Sequence, residues 1–421
     1  MNQTYRVAGI DVHKRMLAVV ITDFAHDASP SQRRKFGAFD SDLRALGEWL
    51  REQKVQEAVM ESTAQYWKPV WRQLEGQCRL FLAQPHSNRA PRGRKRDFED
   101  AERLLRRHVA GELILSFVPD PEQRLWRAIS RAKHQLTRDR VRLYGQVEAL
   151  LEDSRIKLSS CVSDLFGVSA RRMLQALAKG NHHPAALAAM AEPELQATPA
   201  QLTDALQAAA TLSPLHRQIL GLFLERLQLI DVQIATLQQS LAAALHEHQQ
   251  AVLRLAATPG YGIDSAQQVI AEIGPQAATF PSPGELASWV GVCPGREESA
   301  EVSTSNRSPK GNRLMRRVLT QVANAAIKTN NCYFQLLYRR LLPRLGHNKA
   351  LWAVAHRLCR LTWKILHQGV EYIEYATGKA SHHAKKHIAR IVRQLRSLGY
   401  QVIPPAPSPS GSLLRANKPG H

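Results

Sequence analysis

The chain has 421 residues, with 57 Lys plus Arg against 36 Asp plus Glu, so its formal net charge is +21. A surplus of this size points to a polyanionic partner. With 44% hydrophobic residues and no repeat of about 20–50 residues, the composition argues against a disordered chain or a repeat array and suits a protein with two or three buried cores.

Two further absences narrow the class of protein. No stretch approaches about 18 consecutive apolar residues, and the N-terminus lacks the long apolar run of a signal peptide, so neither export nor membrane insertion is expected. The 5 cysteines are odd in number and never form a C-x-x-C pair, which disfavours a disulfide framework and a thiolate zinc site. A cytoplasmic protein is therefore expected.

The first part of the chain alternates predicted strands and helices. Two β-rich runs, Val7–Asp11 and Met16–Thr22, flank a short polar turn, which predicts a hairpin. An amphipathic segment at Leu43–Leu50 and apolar strands at Ala58–Glu61 and Leu80–Ala83 follow. This order predicts an α/β domain with a mixed sheet covered by helices.

The middle of the chain is predicted to be helical. Pro121–Asp153 is strongly basic with one apolar stripe, and Leu220–Ala244 has the alternating three- and four-residue apolar spacing of a coiled coil. These helices pair within one chain or between two chains. Between them, Ser159–Leu212 is rich in Ala and interrupted by Gly and Pro, which indicates short helices of a small subdomain.

A third, mostly helical unit begins near Ala256 and includes an apolar helix at Leu351–Leu366, before a basic tail that ends in a Pro-rich segment. The predicted divisions are 1–118 for the α/β domain, 119–250 for the helical region, 251–380 for the C-terminal domain and 381–421 for a basic, partly disordered tail.

Four acids are candidates for metal ligands. Asp11 and Glu61 each end a predicted strand, while Asp97 and Asp100 are three residues apart at the start of a predicted helix and so share one face. Phosphoryl transfer uses such hard oxygen ligands to hold Mg²⁺. The alternative is that Asp11 is a turn residue, Glu61 a solvated strand end, and the other two acids favour the helix dipole.

A basic run directly precedes Asp97. It would draw nucleic-acid phosphates towards the acids, although a solvated loop or an address signal has the same composition. The candidate contacts are Arg92, Arg94, Lys95 and Arg96. Trp67 and Trp71, four residues apart, fit a core better than base stacking.

Pro259–Gly262 lies between the end of an apolar helix and the start of a new one, which is typical of a helix-hairpin-helix. The backbone N–H groups of Gly260 and Gly262 are candidates for binding a DNA phosphate. A plain helix–helix turn would have the same sequence.

A polar loop, Cys293–Asn312, leads into a basic helix and contains several serines. A serine becomes a nucleophile when a base or metal activates it and cations stabilise the phosphate oxyanion, and otherwise it is simply solvated. The cations available are Arg296, Arg307, Lys310, Arg316 and Arg317. No G-x-S-x-G elbow, P-loop or H-E-x-x-H pair occurs, so hydrolase, NTPase and zincin functions are disfavoured.

Several motifs occur in a defined order between about Tyr5 and Gln368. They are Gly9–Lys14, Met60–Thr63 followed by Tyr66–Val70, Gly93–Ala101, Pro259–Gly262, Gly291–Gly295 with Glu298–Ser299, and Lys310–Asn312. Together they resemble the DEDD-type insertion-sequence transposases (insertion sequence family 110, with related DNA invertases).

The resemblance implies a ribonuclease-H-like (RuvC-like) N-terminal domain in which Asp11, Glu61, Asp97 and Asp100 bind Mg²⁺ or Mn²⁺. It also implies a C-terminal transposase domain in which Ser299 attacks DNA and forms a covalent phosphoserine link. In the family a coiled coil mediates dimerisation, the two catalytic parts meet across protomers of a tetramer, and a structured bridge RNA pairs with donor and target DNA. Two double helices and an RNA would account for the charge of +21.

Two positions depart from the family pattern. Ala300 follows the serine where Gly is frequent, and Arg96 precedes the third acid where Thr or Ser is frequent. Neither change removes a catalytic group, although Ser303, Ser305 and Ser308 compete with Ser299 for the nucleophile role.

The resulting hypothesis is a transposase that excises and inserts its own element in double-stranded DNA by site-specific recombination, acting as a homo-dimer or tetramer. One alternative is a metal-dependent nuclease or junction resolvase that uses water as its nucleophile. The other is a nucleic-acid-binding scaffold without catalytic activity.

Overall fold

A computed structural model describes residues 5–25, 30–62, 64–88, 96–293, 297–299, 302–305, 308, 310–374 and 381–399. The chain divides into two compact units, which meet in sequence between Pro119 and Asp120. In the described part of the chain, no helix combines the length and the apolar character that crossing a lipid bilayer requires.

The first unit is a five-stranded mixed sheet with helices on both faces. Its elements are β1 (Arg6–Val12), β2 (Met16–Asp23), β3 (Gln32–Gly37), α1 (Asp40–Glu52), β4 (Glu57–Glu61), α2 (Trp67–Leu74), β5 (Arg79–Ala83) and α3 (Asp97–Val109). The strand order is β3-β2-β1-β4-β5, with β1, β4 and β5 parallel and β2 antiparallel to both neighbours. The expected α/β, ribonuclease-H-like (RuvC-like) fold is confirmed.

The central strand β1 is buried on both faces, and successive residues serve different cores because strand side chains alternate. Ile10 packs in a core that includes Leu46 of α1 and Leu74 of α2. Gly9 faces α3 so closely that a Cβ atom there would lie 2.1 Å from the Ala101 carbonyl oxygen. The missing side chain at Gly9 therefore lets α3 lie directly on the sheet.

The second unit is helical apart from one small hairpin. Its elements are α4 (Pro121–Asp153), α5 (Leu158–Cys161), α6 (Val168–Ala178), α7 (Pro184–Ala188), α8 (Pro199–Ala205), α9 (Pro214–Ala244), α10 (Gln249–Ala256), α11 (Ile263–Ile273), α12 (Pro283–Val290), β6 (Glu297–Ser299), β7 (Val302–Ser305), α13 (Arg313–Ile327), α14 (Tyr333–His367) and α15 (Ser381–Ser397). The expected largely helical C-terminal region is confirmed.

The long helices α4 and α9 pack against each other within the chain. With α5–α8 they enclose one core, to which α4 contributes Leu143, Val147 and Leu151. The N-terminal half of α4 instead buries Trp126 in a second core. The predicted single apolar stripe along α4 is therefore wrong at its N-terminal end, where Leu125, expected on the stripe, is 58% exposed and the neighbouring Trp126 is buried instead.

The second core lies among α10–α14, where α11 is buried along nearly its whole length. Helix α15 also belongs to this core, since Ile391 and Leu395 are buried in it. The first part of the predicted basic, partly disordered tail, 381–421, is therefore a helix that packs on this core. Its apolar residues recur at helical spacing, but they are few among many basic residues, so the composition concealed an amphipathic helix.

Candidate active site

The sheet places Asp11 and Glu61 side by side. In the parallel pairing of β1 with β4, Gly9 is opposite Val59, and the two acids lie two residues further along their strands. Gly9 faces α3, and Val59 is buried with Leu104 of the same helix. Because residues two apart in a strand share a face, Asp11 and Glu61 also lie on the α3 side of the sheet.

Helix α3 brings its acids to the same place. It begins at Asp97, and Asp100, Ala101 and Leu104 continue the three- and four-residue spacing. Ala101 and Leu104 are buried against the sheet. The two aspartates therefore occupy the first turn of the face by which α3 contacts the sheet, where the helix dipole favours negative charge.

Asp11 and Asp97 form a compact cluster with His13. The His13 Nε2 atom lies 2.9 Å from Asp11 Oδ2 and 3.7 Å from Asp97 Oδ1. One potential ligand atom from each of the three residues lies within 4.8 Å of the others. Asp11, Asp97 and His13 are referred to below as the acid cluster.

The surroundings of the acid cluster shift the pKa values of its two aspartates in opposite directions. Burial raises the pKa of Asp11, His13 counteracts this, and the negative charges of Asp100 and Asp97 raise it further. A hydrogen bond from the Lys35 ammonium group, 2.9 Å from Asp97 Oδ2, lowers the pKa of Asp97. Asp11 is therefore the acid whose negative charge an added cation would stabilise most.

The other two acids have their own partners. Asp100 forms an ion pair with Arg103 at 2.6 Å, and it is close enough to Asp11 to raise the pKa of that residue. Glu61 accepts a hydrogen bond of 3.0 Å from the Asn88 side chain. The structure thus joins Asp11, Asp97 and Asp100 electrostatically and places Glu61 on the same face of the sheet.

The sequence analysis missed several residues of this site. Arg33 and Lys35, two apart on β3, pair with Glu102 and Asp97 of α3, and His13 closes the acid cluster. An open cleft beside them is lined by Arg33, Lys35, Arg96, Asp97, Phe98 and Glu99. The run of three basic residues in the strand Gln32–Gly37 is the signal that could have indicated a charged strand face.

The donor atoms of the acid cluster fit a hard divalent cation. Asp11 and Asp97 supply carboxylate oxygens, the ligands that Mg²⁺ and Mn²⁺ prefer, whereas the imidazole of His13 suits other transition metals better. His13 is hydrogen-bonded to Asp11, and this contact can orient the Asp11 carboxylate towards a bound ion.

Ser299 lies in a hairpin rather than in the polar loop that the sequence predicted. It is the last residue of β6 and pairs with Val302, the first residue of β7. The two short strands satisfy each other's backbone groups, and Val and Thr in β7 favour extended structure. The density of Ser, Gly and Pro around them had suggested a loop. Strands β6 and β7 are called the serine hairpin below.

The chain after the serine hairpin is tied to three helices. The Asn312 side chain caps α13 by accepting from the N–H groups of Leu314 and Met315, both at 3.0 Å. Its Nδ2 atom donates to Glu272 Oε2 of α11 at 3.1 Å, and its backbone N–H donates to the Trp289 carbonyl of α12. Asn312 therefore links the serine hairpin to the core of the second unit.

Trp352 of α14 provides another attachment. Its Nε1–H donates to Ser308 Oγ at 2.8 Å, and the Arg316 guanidinium lies 4.8 Å from the centre of its ring. Ser308 is thus a hydrogen-bond acceptor at the base of the serine hairpin. Arg316, expected to bind nucleic acid, stacks on an aromatic ring that orients it.

The other expected nucleic-acid contacts have varied surroundings. Arg96 pairs with the exposed Glu99, Lys310 is exposed, and Arg317 donates to the side chains of Gln268 and Gln321. Arg92, Arg94, Lys95 and Arg307 lie outside the described residues.

The two glycines of the expected helix-hairpin-helix have internal roles. Gly260 has a φ of +88°, and a Cβ atom there would lie 2.2 Å from the Val322 carbonyl oxygen of α13. The Gly262 N–H donates to Ser265 Oγ at 2.9 Å. Both glycines are thus explained by packing and capping, and their contact with DNA stays a prediction.

In a comparison with known protein families, two transposase models match different parts of the chain. A model of the DEDD transposases of the IS110 type matches residues 8–155, and the model described as "Transposase IS116/IS110/IS902 family" matches residues 252–339. Together the matches cover more than half of the chain and include both the acid cluster and the serine hairpin. No curated protein matches the chain.

Proposed function

The chain belongs to the IS110 family of DEDD transposases, and we propose that it excises and inserts its own insertion sequence through a phosphoserine intermediate. The observation that supports this most directly is the acid cluster at the junction of β1 and α3. Family membership makes it a DNA-processing enzyme, and the steps below are the proposed chemistry.

In this proposal Asp11 and Asp97 hold Mg²⁺ or Mn²⁺, with Asp100 and Glu61 completing the set of acids on the same face. The ion would neutralise charge that develops on a phosphate during transfer. His13 orients the Asp11 carboxylate, and Lys35 holds Asp97 ionised by its hydrogen bond. Both side chains keep the acids in the carboxylate form that binds a cation.

Ser299 is the proposed nucleophile. Its Oγ attacks a backbone phosphorus, so a serine–phosphorus bond forms and one phosphodiester P–O bond breaks. The serine proton ends on the DNA oxygen that leaves, which becomes a free hydroxyl. In strand exchange a hydroxyl of the new partner attacks the phosphoserine and returns the proton to Ser299. Arg316 and Arg317 are the proposed cations for the phosphate oxygens.

The proposed partners are double-stranded DNA at the element ends and target, a structured bridge RNA, and further copies of this chain in the cytoplasm. Arg96, Lys310, Arg316 and Arg317 are the described residues proposed to contact nucleic acid. A dimer or tetramer is supported by α9, where Leu215, Leu222 and Leu229 are exposed at seven-residue spacing, which suits a helix of a second subunit.

The test is a search for protein covalently attached to DNA. The purified protein, its flanking RNA, element-end DNA and target DNA are mixed with Mg²⁺ and analysed on a denaturing gel. We expect an adduct with the wild type and with the matched Ser303→Ala variant, but none with Ser299→Ala. An adduct in all three would move the nucleophile to another serine.

The same gel also tests the alternative of a water-using nuclease or resolvase. The acid cluster lies on regular elements of a single unit and is suited to activating water without a protein nucleophile. Cleaved DNA without any adduct in the wild type would therefore overturn the phosphoserine proposal and favour that alternative.

A further inference from the structure

The N-terminal half of α4 carries positive charge that neither the acid cluster nor the serine hairpin uses. Between Gln123 and Arg138 the sequence has five Lys or Arg residues and no acid. Most of these cations recur at intervals of three or four residues, which places them on one face of the helix. Arg127, Arg131, His134 and Arg138 are called the α4 row.

Such a row is unfavourable in a helix by itself, because like charges one turn apart repel. At the N-terminal end of the row, the positive charge is neutralised by a buried carboxylate of the neighbouring helix α11. Glu272 of α11, whose side chain is only 3% exposed, lies 3.0 Å from both Nε and Nη2 of Arg131 and also pairs with Arg127. The negative charge is therefore buried beneath the row together with Arg127, which is only 11% exposed, while Arg131 is 46% exposed to solvent.

The C-terminal end of the row has no such compensation. Arg317 of α13 lies near it, because Arg317 donates to Gln268, which in turn donates to Asp264, the ion-pair partner of Lys133 on α4. Burial, and then the charges of Arg317 and Arg138, lower the pKa of His134. Among the described residues, no carboxylate pairs with His134, Arg138 or Arg317. Two nitrogens here, His134 Nδ1 and Arg317 Nε, are enclosed without a hydrogen-bond partner in the described part of the chain.

We propose that the α4 row, together with Arg317, binds the phosphodiester backbone of a nucleic acid. The row spans about 16 Å along the helix axis, which is enough for more than one phosphate. Arg131 is held in a fixed orientation by Glu272 yet remains 46% exposed, so its outer N–H groups can donate to phosphate oxygens. Arg138 is exposed about two turns further on.

The α4 row also shares a contact with the segment that follows the serine hairpin in sequence. Glu272, which holds Arg131, accepts a hydrogen bond from Asn312, the N-cap residue of α13. A nucleic acid on the row would therefore contact an arginine whose carboxylate partner also holds Asn312. The inference rests on the proposed function for the class of partner and assigns that partner a surface. Because backbone binding requires neither the metal nor Ser299, it is measured separately from catalysis.

The test measures binding without catalysis. Fluorescence anisotropy in EDTA gives the Kd of the full chain for a duplex DNA of arbitrary sequence and for a duplex RNA of equal length, over a series of NaCl concentrations. Arg138→Ala is compared with Arg72→Ala, which removes the same charge from an exposed position on α2. We expect Arg138→Ala to weaken binding about five- to tenfold and to reduce the salt slope by about 1, with little change for Arg72→Ala.

Charge reversal makes the contrast sharper. Arg138→Glu should weaken binding more than Arg138→Ala, while Arg72→Glu should change it little, and thermal melting checks that all variants fold alike. A loss confined to the DNA or to the RNA identifies which nucleic acid uses the row. Equal losses for the two positions, or unchanged binding with both nucleic acids, would show that the row is only a solvated helix face and would overturn the proposal.

Discussion

The acid cluster and the α4 row have opposite arrangements of charge. In the first unit Asp97 lines an open cleft, with Lys35 hydrogen-bonded to it from the side. In the second unit the acid Glu272 is buried, and Arg131, which it holds, is 46% exposed to solvent. Local charge arrangement, more than the net charge of +21, thus decides that one region suits cations and the other suits phosphates.

The two regions also differ in how they position their reactive groups. Asp11 and Asp97 lie on a central strand and on a helix that pack directly against each other at Gly9. Ser299 lies on the serine hairpin, which is tied down beyond its second strand by Ser308 and Asn312. We therefore expect substitutions to act directly on the chemistry in the first region and through anchoring contacts in the second.

The largest effect is expected from Asp11→Asn. Losing the carboxylate removes a proposed metal ligand, and a metal site supplies several kcal/mol of transition-state stabilisation, so strand cleavage should fall about 10³-fold or more. Cleavage of element-end DNA with Mg²⁺ or Mn²⁺ measures this, with the exposed Glu48→Gln on α1 as the control. An unaltered rate in Asp11→Asn would exclude the metal-site proposal.

A smaller effect, on stability, is expected from Glu272→Ala. Burial already lowers the pKa of Arg127 to about 10, against the opposing charge of Glu272. Removing the Glu272 carboxylate takes away the ion-pair partner of that buried cation and the acceptor of the Asn312 Nδ2 hydrogen bond, which should cost about 3 kcal/mol in the free energy of unfolding. Urea unfolding of the full chain measures the change. The exposed Glu247→Ala should cost less than about 0.5 kcal/mol, and equal costs would contradict the anchoring role.

The smallest effect is expected from the pH dependence of Glu57, a buried glutamate in the first unit. Burial alone would raise its pKa, but hydrogen bonds from His108 and Tyr5 and the charge of Arg79 lower it below its ordinary 4.5. Because the folded-state pKa is lower than the unfolded one, the stabilisation is complete above about pH 4.5 and is lost as the pH falls through the folded-state value.

Thermal melting at a series of acidic pH values compares the wild type with Glu57→Gln, which cannot ionise. The stability of the wild type should decrease more steeply below about pH 4.5 than that of the variant. Identical pH profiles would show that Glu57 contributes no such linkage.

Parts of the acid cluster were predictable because they depend on local pattern. The hairpin of β1 and β2, the end of β4 at Glu61 and the start of α3 at Asp97 are all where the apolar alternation and helical spacing had placed them. His13 and Lys35 were not recognised, because their roles depend on contacts with residues far along the chain or across the sheet.

The second unit shows the same limit. Helical spacing predicted both α4 and α9 but left open whether they pair within one chain, which the structure shows. The role of Glu272 could not be predicted. Its sequence context does not show whether its carboxylate is exposed or, as in the structure, buried against Arg131 and Asn312. The catalytic roles of the four acids and of Ser299 stay predictions.

The sequence by itself therefore determined most of the elements, though not β3 or the serine hairpin, together with the family and the positions of the acids at strand and helix ends, because these follow from short-range periodicity and from ordered motifs. Only the tertiary structure decided which charges neutralise one another. Burial of Glu272 under Arg131 and the approach of Lys35 to Asp97 come from packing between distant segments. Electrostatic interactions depend on separation and burial in space, which no local pattern encodes.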